Sequence, residues 1–149
     1  MYNFFLKFIT TVFFIGYLPL APGTFGSAAG LFIYVFFKEN PFFSASVCFL
    51  ITILGFLLAG KAAKLFARRD PPEIVIDELS GILVSFLGIP VEDKLTLLIG
   101  FILFRAFDVI KIYPANRLDR LRGGVGIMGD DIIAGIYTNI ILRIIFLLK

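Results

Sequence analysis

The sequence has no histidine, no tryptophan and only one cysteine among its 149 residues. Without an imidazole there can be no Ser-His-Asp triad, no phosphohistidine intermediate, no haem ligation through histidine and no histidine-based zinc site. Cys48 cannot form an intrachain disulfide. It lies in the apolar run FFSASVCFLITILGFLLAG, with no nearby cation to favour a thiolate, and reads as a small hydrophobe. Charge is scarce as well, at 17% of residues, against about 25% in soluble domains. What is abundant is apolar: 59% of residues are hydrophobic and the mean hydropathy is +0.97. That balance excludes disorder, a collagen-like repeat and a disulfide scaffold, and argues against an ordinary soluble globule.

A bilayer-crossing helix needs about 20 apolar residues. The expected architecture is a single all-α domain over residues 1–149, a small polytopic membrane bundle with about four or five spans. The clearest span is Phe42–Gly60, 19 residues without a charge. Further candidates are Asp131–Leu148, Leu95–Tyr113 and Ile74–Ile89, and Thr24–Phe37 should pair with Phe42–Gly60 as a hairpin across Lys38–Pro41. Tyr2–Leu20 lacks the charged start and small-residue cleavage site of a signal peptide. It is expected to be a retained apolar or interfacial helix. Any interfacial aromatic belt must be built from the 5 Tyr and 19 Phe.

The basic segments around Lys61–Arg69 and Lys111–Arg122 fall on the cytoplasmic side by the positive-inside rule. Segments 16–28, 61–78 and 105–131 then meet at one membrane face. The net charge of +3 suits anionic lipid. Nucleic acid is not an expected partner, because the cations are interleaved with acids and no soluble surface carries a basic stripe.

Ionisable groups within apolar spans are costly, at roughly 2.5–3.5 kcal/mol each, so those present need a reason. Asp77 and Glu78 sit early in one candidate span. Arg105 and Asp108 are three apart on one helix face, and Asp130 and Asp131 open another span. Two plainer readings exist: Arg105–Asp108 as a structural ion pair, and Asp130 or Asp131 as an N-cap. Five carboxylates without His or Cys make a hard oxygen donor set, suited to Mg²⁺, Mn²⁺ or Ca²⁺. Arg105, Lys111, Arg117, Arg120 and Arg122 could hold a phosphate, or anchor to lipid headgroups. Two glycine-rich segments, Ala21–Ser27 and Arg122–Asp131, read as loops, the first a possible anion seat at a helix N-terminus through Thr24 and Ser27.

The segments LAPGTFGSAAG, IVIDELSG and FRAFDVIKIYPANRLDRLRGGVGIMGDDIIAG, in this order, resemble the phosphatidylglycerophosphatase A family. The resemblance covers about Gly16 to Gly135. It implies a Mg²⁺-dependent lipid phosphatase of the bacterial inner membrane that converts phosphatidylglycerophosphate to phosphatidylglycerol, with its active site facing the cytoplasm. The family's acidic positions fall on Asp77, Glu78, Asp108, Asp130 and Asp131, and its N-terminal loop on Pro22, Gly23, Thr24, Gly26 and Ser27. On this reading Glu78, Asp130 and Asp131 hold one or two Mg²⁺ ions, with Asp77 or Asp108 completing the shell and Asp77 favoured as the base. Arg105, Lys111, Arg117 and the Thr24/Ser27 segment would contact the phosphate. Asp-x-Asp and Cys-x₅-Arg phosphatase motifs are absent, and histidine-dependent lipid phosphatases are excluded by composition.

Overall fold

The computed structural model describes residues 1–148, and every regular element among them is helical. In chain order these are α1 (Tyr2–Thr10), a 3₁₀ turn (Ile15–Tyr17), α2 (Pro22–Phe37), α3 (Pro41–Leu65), α4 (Ile76–Phe86), α5 (Lys94–Ile110), α6 (Ala115–Leu118) and α7 (Gly124–Leu147).

The N-terminal apolar stretch is not one helix. Val12, Phe13 and Phe14 have φ of 49°, 54° and 69°, a left-handed run that L-residues avoid. It ends α1 after 9 residues, about 14 Å and less than half a bilayer core. The chain then folds back onto the segment that leads into α4. The Val75 amide donates to the Thr10 carbonyl at 3.0 Å, and Gly16 lies so close to the Glu73 carbonyl that no Cβ would fit.

The helices α2 and α3 follow one another across a short turn as expected, but they pair little along their length, since α2 packs chiefly on α4 and α3 chiefly on α7. The Asn40 side chain accepts from the Phe43 amide at 3.1 Å to cap α3, and Pro41 takes the first helical position. Among the described residues α3 alone is long and apolar enough to cross a bilayer by itself. Its buried positions are small (Cys48, Gly55, Ala59, Ala62, Ala63), whereas Phe42, Phe49, Leu50 and Leu57 point outward. A water-soluble helix has the opposite arrangement. Large apolar side chains are likewise exposed on α2 (Phe32, Phe36), α5 (Leu98, Ile102) and α7 (Ile140, Ile144), far more apolar surface than a soluble monomer presents.

The centre of the fold is α4, packed against α2, α3, α5 and α7. All of its 11 residues except Glu78 and Val84 are buried. At 1.5 Å per residue it is about 16 Å long, so Ile74–Ile89, expected as a span, is instead a half-length helix enclosed by the others. It meets α7 most closely where Gly135 abuts the Gly81 carbonyl.

A helix that ends inside a bundle leaves carbonyls unpaired, and α7 supplies their partners. The Asn139 amide lies within 3.0–3.1 Å of the carbonyls of Val84, Ser85 and Leu87. Arg143 donates to the Leu87 carbonyl at 2.9 Å and to Asn139 Oδ1 at 2.8 Å. Asn139→Leu keeps the volume and removes these donors. Each orphaned buried carbonyl costs roughly 1–3 kcal/mol, so thermal unfolding in detergent micelles should show a midpoint several degrees lower. An unchanged midpoint would mean that the α4 terminus is satisfied in another way.

Candidate active site

The first turn of α4 carries Asp77 and Glu78, where a helix N-terminus favours anions. The C-terminal third of α5 carries Arg105 and Asp108. Asp130 and Asp131 come from α7, but they do not open it. That helix begins at Gly124, so the two aspartates sit nearly two turns inside, and neither is an N-cap.

The Arg122–Asp131 segment is therefore mostly helix rather than a ligand-cradling loop. Gly124 and Gly126 abut the carbonyls of Phe56 and Leu121 and seat α7 against α3 and the link from α6. The Pro22–Ser27 segment is likewise the start of α2. Gly26 packs onto Val75, and Gly23 faces the Glu78 carboxylate with no space for a Cβ. Ser27 is fully buried. Its hydroxyl donates to the Gly23 carbonyl at 2.9 Å and accepts from Arg105 Nη1 at 3.4 Å, so it is occupied within the protein rather than offered to an anion. Pro22 and Thr24 are half-buried in the same turn.

The carboxylates form two overlapping triads. Oxygens of Asp77, Glu78 and Asp131 lie within 4.8 Å of one another, and so do oxygens of Asp108, Asp130 and Asp131. Asp131 belongs to both. Asp77, Asp130 and Asp131 are 7%, 6% and 3% exposed. Asp77, Glu78, Asp130 and Asp131 each have one buried oxygen with no hydrogen-bond partner. Buried carboxylates without partners are costly and mutually repulsive. An all-oxygen set spanning this distance fits a hard divalent cation, whose opposite ligands lie about 4–5 Å apart. The residues present thus fit a metal site.

Two cations border the cluster. Arg105 Nη1 pairs with Asp108 at 2.7 Å, which makes that pair real, and Arg105 holds Asp108 while reaching Ser27. The Lys111 ammonium contacts Asp119 Oδ1 at 2.5 Å and Asp130 Oδ2 at 2.7 Å. Burial works against its charge, but the hydrogen bonds to Asp119 and Asp130 outweigh this and hold its pKa above the ordinary lysine value. Asp119 is a residue that sequence reasoning passed over, its only signal being an acid within a run of cations. Arg117 does not join the site. It is exposed and lies over the Tyr113 ring at 5.1 Å.

A cleft of about 230 Å³ opens onto the carboxylates, walled on one side by Asp70, Pro71 and Pro72 and on the other by Lys111. Polar lining in so apolar a chain marks the place where a charged group can enter. The fold and cleft define a helical protein built around a carboxylate cluster that could hold a metal ion.

The chain belongs to the phosphatidylglycerophosphatase A family, whose family model matches residues 8–146. It is 34% identical over 132 residues to the Escherichia coli phosphatidylglycerophosphatase A, covering 87% of this chain and 77% of the relative. It is 37% identical over 134 residues to the Haemophilus influenzae phosphatidylglycerophosphatase A, covering 85% and 80%. It is also 31% identical over 144 residues to a Bacteroides thetaiotaomicron protein provisionally named a phosphatidylinositol-3-phosphatase, covering 91% and 90%. No solved structure matches the chain.

Proposed function

We propose that the protein hydrolyses phosphatidylglycerophosphate to phosphatidylglycerol and phosphate, using Mg²⁺ held by the carboxylate cluster. The observation that carries this reading is the pair of triads sharing Asp131, with four unpartnered buried oxygens on residues that line one cleft. Glu78, Asp77 and Asp131 would hold one ion, and Asp108, Asp130 and Asp131 a second. When bound, Mg²⁺ supplies Lewis-acid stabilisation of the charge on the phosphoryl oxygens.

The chain's own groups do the rest. Asp77, a buried residue lining the cleft, takes a proton from the water that attacks phosphorus, through the carboxylate oxygen not committed to the ion. The phosphorus–oxygen bond to the glycerol headgroup breaks, and the leaving oxygen takes up the proton that Asp77 removed from the water, becoming a hydroxyl and returning Asp77 to its carboxylate form. Lys111 uses two of its three donors on Asp119 and Asp130, which leaves the third for a phosphate oxygen. Arg105 acts by holding Asp108 in place.

In this reading the protein is a multi-pass protein of the bacterial inner membrane. Helices α2, α3, α5 and α7 expose their apolar faces to lipid, α4 stays within the bundle, and the cleft opens at the cytoplasmic side, where the cations of segments 61–69 and 111–122 favour anionic headgroups. The test is phosphate release by the purified protein from phosphatidylglycerophosphate, phosphatidate and a polyprenyl phosphate. Turnover highest on phosphatidylglycerophosphate is expected. Preference for either of the other two would replace the substrate, and no release from any lipid would overturn the reading.

A further inference from the structure

A second cleft of about 350 Å³ lies outside the carboxylate site, between the end of α3 and the start of α7. Its rim carries Lys64, Arg68, Arg69 and Arg122, and no acid is among its lining residues. Its floor is small and apolar, formed in part by Gly60 and Ala63, and the N-terminus of α7 opens onto it at Gly123. The side chains of Lys64 and Arg122 make no ion pair or hydrogen bond among the described residues, and both residues are exposed. Arg68 pairs with Glu73 at 3.8 Å and Arg69 is held by backbone carbonyls, so Lys64 and Arg122 are the cations left for a ligand. Cations over an apolar floor match a phosphate joined to a greasy glycerol ester better than a freely soluble anion.

This cleft adjoins the carboxylate site. Arg69 lines the one and Asp70 the other. A chain of contacts joins them: Arg69 donates to the Asp119 carbonyl at 2.6 Å, the Asp119 carboxylate meets Lys111 at 2.5 Å, and Lys111 meets Asp130 at 2.7 Å. The substrate of the proposed reaction carries two phosphates bridged by one glycerol. The terminal monoester belongs with the carboxylates and their cation. The internal diester keeps its negative charge throughout the reaction and needs a seat free of carboxylates.

We propose that the Lys64/Arg68/Arg69/Arg122 cleft binds the phosphodiester of the substrate and so selects lipids that carry a second phosphate. This rests on the reading of the carboxylate cluster as a phosphomonoesterase site. Arg69 also braces the α6–α7 link through the carbonyls of Asp119 and Leu121, so the informative variants are Lys64→Gln and Arg122→Gln, singly and together.

The experiment uses the full chain in neutral detergent micelles with Mg²⁺ and phosphatidylglycerophosphate. For the double variant, KM should rise about tenfold, the loss of one or two charge-assisted contacts, with kcat within about twofold of wild type. Product inhibition by phosphatidylglycerol, which retains only the diester, should weaken in parallel. Inhibition by inorganic phosphate, which competes at the carboxylate site, should not change. The proposal is overturned by an unchanged KM, by equal weakening of inorganic phosphate inhibition, or by a defect confined to vesicles containing anionic lipid, which would assign the cleft to a neighbouring lipid. Wild-type protein with no phosphatase activity on this lipid would instead defeat the underlying reading of the carboxylate site.

Discussion

Asp131→Asn is expected to lower turnover by about a thousandfold or more, because a ligand that supports several kcal/mol of charge stabilisation is lost at about 1.4 kcal/mol per decade of rate. Asp131 is the carboxylate common to both triads, so no other single substitution in the cluster weakens both at once. The change is nearly isosteric and leaves the α7 backbone alone. It also removes one of several negative charges crowded in a buried space. Two stability measurements therefore accompany the loss of activity. In chelator, the variant should unfold at a temperature no lower than wild type. On adding Mg²⁺ at a hundredfold excess over its dissociation constant, wild type should gain about 2.7 kcal/mol, seen as a higher unfolding midpoint, while the variant gains little. Turnover within tenfold of wild type would remove Asp131 from the site. A marked loss of stability in chelator would show that its role is structural.

Gly23→Ala should separate activity from stability in a different way. The added Cβ would meet the Glu78 carboxylate, the far end of a flexible side chain, with Arg105 Nη1 next nearest at 3.4 Å. The carboxylate can swing aside, so the fold should persist with an unfolding midpoint within a few degrees of wild type. The carboxylate would then be misplaced for its cation, and a displacement of about 1 Å at a reacting centre costs up to roughly 100-fold. A fall in kcat of about 10- to 100-fold is expected, partly recovered at higher Mg²⁺ if the defect is weakened metal binding. Wild-type kcat would show that Glu78 tolerates the shift and is not a ligand.

The acids of the site were legible because charges are so few. In a chain with 25 charged residues among 149, carboxylates inside apolar stretches stand out, and topology alone gathers segments 16–28, 61–78 and 105–131. Their depth was not legible. Asp130 follows four glycines in Gly123–Gly129, which reads as loop, yet α3 and the α6–α7 link approach α7 so closely that only glycine fits at Gly124 and Gly126. The helix therefore starts earlier than propensity suggests. The same holds for Gly23 and Gly26, which seat α2 against Glu78 and Val75 rather than shaping an anion loop.

Hydropathy could not distinguish a full span from the enclosed half-helix α4, since beyond Asp77 and Glu78 the stretch to Ile89 carries no charge. What marks the end of α4 is Asn139, 52 residues beyond Leu87 in the chain, a contact that no local pattern encodes. Lys111 was read as a phosphate contact; its pairing with Asp119 and Asp130, which depends on the turn from α5 into α6, was not legible.

The central claim is that divalent cation held by these carboxylates is required for phosphate release. The most direct measurement is the rate of phosphate release from phosphatidylglycerophosphate by the purified protein, after exhaustive chelation and then during Mg²⁺ back-titration. Release should fall to background in chelator and return saturably with Mg²⁺ in wild type, with Asp131→Asn remaining near background throughout. Full-rate release that persists after complete chelation would contradict the account.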